Sequence, residues 1–200
     1  MCVNLPYPIM EIVIIQKDCL YAAKYDGETY DEYNRIFEEH GNRELVENFF
    51  EIHKWEIGQY YVSELGLSRD EVDAYTQRVV EEAEDFEDYF ENLIDNTIDG
   101  VSPGISSSFV VLEGFEKEVM PAMKSYGLSR PSMLRVYAIE VSINCLIIFY
   151  SGIKIAHSIG ESPVLKDNVI PKARRIIAFL EENDITSKED LNAMLIRKDT

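Results

Sequence analysis

The clearest pattern of apolar and polar positions lies between Leu134 and His157. Arg135, Tyr137 and Ile139 alternate with Val136, Ala138 and Glu140. Side chains of a strand point to opposite faces with period two, so Arg135 and Tyr137 share one face. Cys145 to Tyr150 has no alternation, all six residues being apolar or aromatic. A run of that length between turn residues is expected to be a strand covered on both faces. Ser142-Ile143-Asn144 suits a hairpin, since Asn tolerates the left-handed conformation. Ser151-Gly152 marks a second tight connection or a bulge. The pattern predicts a three-stranded antiparallel meander from Leu134 to His157, with Cys145–Tyr150 in its middle.

The rest of the chain is mostly helical in period. Two apolar runs, Glu11–Ile15 and Cys19–Tyr25, flank Gln16-Lys17-Asp18 and predict a first hairpin. Thr29 and Glu32 have capping-box spacing ahead of a helix carrying Tyr33, Ile36 and Phe37, which ends at Gly41. A second helix is expected over Arg43–His53, with Leu45, Val46, Phe49 and Phe50 inward. Trp55 to Tyr61 predicts aromatic packing over the core edge, not a regular element. Ser68 and Glu71 form another capping box, opening a long helix from Arg69 to Asp99. There Val72, Val79, Phe86 and Leu93, with Thr76, Ala83 and Phe90, make one apolar stripe. Glu81, Glu82, Glu84, Asp85, Glu87, Asp88 and Glu91 are expected on the opposite, solvated face. Val101–Ser108 suits a linker, Phe109–Met123 a short helix, and Arg130-Pro131 leads into the meander. A helix from about Leu165 to Glu182 turns Val169, Ala173, Ile176, Ile177 and Leu180 inward. The Thr186–Glu189 box starts a last short helix.

Together these elements predict an α+β fold in a single domain, 1–200. An antiparallel sheet, made of the N-terminal hairpin and the C-terminal meander, packs with helices. An acidic helical lobe spans about 28–100, and the closing sheet and helix about 109–200.

Charge sharpens this picture. The net charge is −18, and residues 28–99 hold 22 acidic and 5 basic side chains, whereas residues 100–200 hold 12 of each. Such an acidic surface repels phosphate, so RNA requires a local basic patch in the second half. Cys2, Cys19 and Cys145 are too widely spaced for a disulfide framework or a metal site, and buried free thiols are expected. No run approaches the ~18 apolar residues of a membrane span. The segment Met1–Ile9 has no basic n-region, and Met10 is an alternative start. A cytoplasmic protein without membrane contact is expected. No phosphate-binding Gly loop, Ser/His/Asp constellation or zinc spacing occurs, so neither cofactor nor metal is expected.

Two resemblances follow from particular residues. Tyr25-Asp26-Gly27-Glu28, Asp31-Glu32-Tyr33 with Arg35 and Phe37, then Phe49-Phe50 and Leu134–Ile139, resemble a family of uncharacterised bacterial proteins. The block Leu134–Ile139 with Gly152-Ile153-Lys154 and Ser162-Pro163 is similar to the closing strands of the RelE/ParE/HigB toxin superfamily. The second resemblance implies an mRNA endonuclease, acting by 2′-OH attack on the adjacent phosphate, and a cognate antitoxin as partner. It implies Arg135 and Lys154 as the basic groups and Tyr137 as an aromatic near the site. The second lysine of the family's turn is Ile155 here, and Glu161 stands where that family is basic. His157 is added as a group able to titrate near neutral pH.

For each residue a structural role stands beside the functional one. Arg135 is a salt-bridged strand residue or a phosphate ligand, and His157 a strand-end residue or a proton carrier. His40, just before Gly41, suits an imidazolium at a helix C-terminus. His53 and Trp55 suit packing. Lys172, Arg174 and Arg175 suit a solvated face or complement Glu81–Glu91. The other function class is a non-catalytic interaction module whose acidic helix docks a basic protein.

Overall fold

Strands β1 (Met10–Gln16) and β2 (Leu20–Tyr25) form the expected hairpin, closed through Asp18 at φ +66°. The computed structural model describes residues 10–128 and 131–198, so Cys2, the Met1–Ile9 segment and Arg130 lie outside it. After β2 come α1 (Asn34–Glu38), α2 (Arg43–His53), α3 (Gln59–Leu65) and the long α4 (Val72–Ile98). A 3-10 turn over Ile105–Ser108 leads to β3 (Phe109–Val111) and β4 (Ala122–Ser125). The chain then builds β5 (Leu134–Ser142) and β6 (Cys145–Ile153), and ends in α5 (Pro163–Lys166), α6 (Val169–Glu182) and α7 (Lys188–Lys198).

The strands form one six-stranded sheet in the order β1-β2-β6-β5-β4-β3. Every pair is antiparallel except β2 with β6, where Tyr21 faces Ile147. The α+β fold is therefore as expected, and Cys145–Tyr150 lies in the sheet interior with both faces covered. The meander is different. Among the described residues no strand follows β6; its far side is taken by β2. The strand runs straight through Ser151-Gly152, with Gly152 opposite Arg135. That glycine serves close packing instead of a turn, because a Cβ there would lie 2.9 Å from both Leu165 Cδ2 and Tyr150 Cε1. The bulge falls earlier, at Phe149, where Tyr137 pairs with Tyr150 and Ala138 with Ile148. It turns Phe149 and Tyr150 to the same core.

Phe109–Met123 is also different. The segment holds β3 and β4 on the sheet edge instead of a helix, because Lys124 and Tyr137, and Met123 and Ala138, pair across the ladder. Val101–Ser108 is packed: Ile105 is buried and its N–H donates to Thr97 Oγ1 at 2.9 Å.

Helices cover both faces. Ala83, Phe86, Phe90 and Leu93 of α4 pack on Val136, Ala138, Leu146 and Ile148. Val169, Ala173, Ile176 and Leu180 of α6 pack on Tyr137, Ile139, Ile147 and Phe149. Burying each of the Val, Leu, Ile and Phe side chains among them contributes about 1.5–3 kcal/mol. A third cluster joins α2, α3 and the start of α4 to Met133, Ile153 and Ile155 at one end of the sheet. The acidic part is thus helical, but its longest helix is a layer of the core instead of a separate attachment.

Local corrections follow from tertiary packing. Thr29 caps nothing; Asp31 Oδ1 accepts from the N–H of Tyr33 and Asn34 instead. Its expected partner Glu32 is fully buried, held by Arg35, Lys172 and the N–H of Ser151. Lys172 therefore sits inside, and Arg174 pairs with Glu118; neither meets Glu81–Glu91. The box at Ser68 is half made, with Glu71 accepting from the Ser68 N–H, and α4 starts at Val72. Leu45 and Trp55 are exposed rather than inward, and Trp55–Tyr61 runs into α3. His40 is buried against Ser151 Oγ, and burial with Arg35 nearby lowers its pKa to about 3. It is a neutral imidazole, not a cation at a helix end.

Candidate functional site

The four residues singled out in the sequence, Arg135, Tyr137, Lys154 and His157, line one cleft of about 490 Å³. Period two in β5 puts Arg135 beside Tyr137, and Tyr137 pairs with Lys124 of β4 across the ladder. Lys154 follows β6 directly and is fixed by its N–H donating to Met133 O at 2.8 Å. His157 is exposed two residues after the buried Ile155. Its ring stands edge-on to Tyr60 at 5.0 Å. The N-terminus of α3 reaches this segment because the Gly58 N–H donates to Ile155 O at 2.7 Å. A Cβ on Gly58 would lie 3.3 Å from Ala156 Cα, so a larger residue there would press on this segment.

A second cavity of about 480 Å³ opens on the other side, walled by Tyr60, Tyr61 and Ser132. The two cavities share Tyr126, Arg135, Lys154 and His157. The cleft is therefore two-lobed, with Arg135 and Lys154 along the dividing spine and Lys124 and Lys166 in the first lobe. Glu113 lies in the first lobe and Glu64 in the second.

Arg135 is only 5% exposed. Its guanidinium donates to Ser132 Oγ (2.8 Å), Leu134 O (2.9 Å) and Tyr61 OH (3.3 Å), and lies over the Tyr126 ring at 4.4 Å. No carboxylate among the described residues forms an ion pair with Arg135, Lys124, Lys154 or Lys166. A buried charge normally has a counter-charge. The nearest approach to one is indirect. Glu82 of α4 is buried, and its Oε2 accepts from Met133 N–H (2.8 Å), Leu134 N–H (2.7 Å) and Ser132 Oγ (3.4 Å). Its other oxygen is held by Arg78. Glu82 thus sets the strand entry and the hydroxyl that holds Arg135, but its charge is already committed.

Lys154 has its pKa lowered to about 8, by burial first and then by the neighbouring charges of Arg135 and Lys124, against a smaller opposing effect of Glu161. Burial pushes the Tyr61 phenol up to about 12 and raises Tyr137 further, so both are neutral hydrogen-bonding groups. The site thus combines fixed positive charge, an amine able to exchange a proton near neutral pH, and aromatic walls.

Sequence reasoning missed Lys124, Tyr126, Tyr61 and Glu82. Lys124 and Tyr126 follow the segment expected to hold a short helix; Lys124 lies in β4 and Tyr126 just after it. Nothing in the heptad pattern separates Glu82 from the solvated acids beside it. Cys19 and Cys145 are buried thiols with pKa raised by burial, and they stand apart from the cleft. Among the described residues no group of three or more His, Cys, Asp or Glu side chains gathers to hold a metal ion. Nor is any helix there long and apolar enough to cross a membrane. No protein-family model, curated protein or solved structure matches the chain.

Proposed function

We propose that the two-lobed cleft binds an RNA phosphodiester and cleaves it by internal transesterification, the reaction that the toxin resemblance implies. The observation that carries the reading is the buried Arg135, which has no carboxylate partner among the described residues and sits on the spine between two cavities. A phosphodiester has one anionic group with a substituent on each side. Its phosphate fits the spine, and its two nucleoside arms fit the lobes, where the exposed Tyr60 and the half-buried Tyr126 offer aromatic surface.

The chemistry follows from the side chains. Neutral Lys154 takes the proton of the ribose 2′-OH as its oxygen attacks phosphorus. Arg135 and Lys124 stabilise the extra charge on the non-bridging oxygens. The 5′-oxygen leaves with a proton from His157, giving a 2′,3′-cyclic phosphate and a free 5′-hydroxyl.

The test uses a short RNA, with and without ribosomes, beside the same sequence carrying 2′-O-methyl groups. Cleavage of the RNA alone, with cyclic phosphate ends, is expected. Lys154→Met lowers the rate about 100-fold or more, and Lys124→Ala lowers the rate as well as weakening binding. Expression in a bacterial host arrests growth, and Lys154→Met relieves the arrest. A wild-type protein that binds a dinucleotide through Lys124 but leaves RNA intact overturns the catalytic step. One that binds no dinucleotide overturns the whole reading.

A further inference from the structure

On α2, Leu45 and Ile52 present apolar side chains to solvent. Leu45, Phe49 and Ile52 are spaced i, i+4, i+7 and share one face of the helix. Trp55 continues the stripe just past its end. Leu45 is 50% exposed, Ile52 64% and Trp55 72%, while the adjoining face of the same helix is buried through Val46 and Phe50. Leu45 and Ile52 of this face are left to solvent, and Phe49 between them is only partly buried against the core. It adjoins a hollow of about 410 Å³ whose walls include Leu45, Val46, Phe49, Tyr30 and Val164. Leu45 and Phe49 belong to both, so stripe and hollow join into one channel, apolar along the stripe and carrying Arg35, Glu39 and His40 in the hollow.

The border of the channel is acidic. Glu44, Glu47 and Glu51 run along the outer side of α2, all exposed. The two cations of this helix region are occupied, Arg43 by Asp73 and Lys54 by Glu51. Arg35, in the hollow, is held by Glu32 and Glu39. His40, also there, is neutral. Glu44 and Glu47 have no cation within ion-pair distance among the described residues. The charge left to meet a partner is therefore negative. A second copy brings the same acidic border and a net charge of −18, so like charges oppose self-pairing.

We propose that this channel docks a basic amphipathic helix of a partner protein, its apolar side in the stripe and its lysines or arginines against Glu44 and Glu47. The inference is independent of the cleft.

Trp55 is the only tryptophan and stands in the stripe, so it reports occupancy directly. The probe is a synthetic 18-residue Leu/Lys amphipathic helix. Two controls accompany it: one with serines in place of the leucines, and one with glutamates in place of the lysines. The Leu/Lys peptide is expected to shift Trp55 emission to shorter wavelength and to bind at least about tenfold more tightly than either control. The double variant Leu45→Ser, Ile52→Ser changes only solvated side chains, so it folds, and it loses about tenfold in affinity. Glu44→Gln with Glu47→Gln weakens binding and flattens its salt dependence. Undiminished binding to the Leu45→Ser, Ile52→Ser protein overturns the proposal, because the peptide then sits elsewhere, for instance on the acidic face of α4. Equal binding of the Leu/Glu helix overturns it as well. So does a dimer in sedimentation that Ile52→Ser abolishes, which assigns the channel to a second copy.

Discussion

His40 shows how far burial changes a residue's role. Next to a helix-ending glycine it suits a cation, yet the fold encloses it beside Arg35 and against Ser151, and its pKa falls to about 3. Below the ordinary histidine pKa of about 6.5, the unfolded chain takes up a proton that the folded protein refuses. Stability therefore falls with decreasing pH between about 6.5 and 3, at up to about 1.4 kcal/mol per pH unit from this group. Glutamine keeps a polar group near Ser151 and removes the titration. His40→Gln is thus expected to flatten this part of the profile relative to wild type. Denaturant unfolding at several pH values checks it; parallel profiles for the two proteins contradict the buried neutral imidazole. Glu82 carries the same lesson. Within a run of acids in the sequence, it is the one turned inward, where it holds two strand N–H groups and, through Ser132, the side chain of Arg135.

At the scale of elements, α4 has two unlike sides. Its heptad residues Val72, Thr76, Val79, Ala83, Phe86, Phe90 and Leu93 are all buried. Glu81, Glu84, Asp85, Glu87, Asp88 and Glu91 are exposed. Phe86 lies on the sheet and against Phe90, with ring centroids 5.2 Å apart. Phe86→Ala is expected to cost about 3–5 kcal/mol, and Glu84→Gln less than about 0.5 kcal/mol either way. Chemical denaturation distinguishes these, and similar values for both place α4 off the sheet. Strand β6 is the other decisive element. Its apolar run requires cover on both faces, which α4 and α6 supply, but nothing in the run names its neighbours. The parallel pairing with β2 spans more than a hundred residues of sequence, and strand chemistry alone cannot specify such a partner.

At the scale of the molecule, the acidic first half and the cationic cleft act against each other. On the proposed reading, a long polyanion that follows the surface would meet the negative field, whereas one phosphate in the cleft would meet Arg135, Lys124 and Lys154. Ligand affinity should therefore depend only weakly on salt. A plot of log K against log salt is expected to slope at about −0.7, the value for one neutralised phosphate on a single strand. Lengthening the RNA beyond a dinucleotide should leave that slope unchanged. A slope of about −3, for about four phosphates, points instead to an extended basic track. Titration of oligonucleotides of increasing length at several salt concentrations makes the measurement.

The chain's own periodicities determined the first hairpin, the helix over Arg43–His53, the stripe of α4, the inward face of α6 and the buried run of β6. Each follows from contacts within a few residues, or from the need to hide a contiguous apolar face. Alternation in β5 also sufficed to put Arg135 and Tyr137 together. Tertiary structure alone decided that β2 and not a third meander strand borders β6, and that Ala122–Ser125 is a strand. It likewise turned Glu82, Glu32 and His40 inward and left Leu45 and Trp55 outside. Those outcomes depend on which distant backbone offers its hydrogen bonds and which distant surface excludes water, and neither quantity is present in a local pattern of side chains.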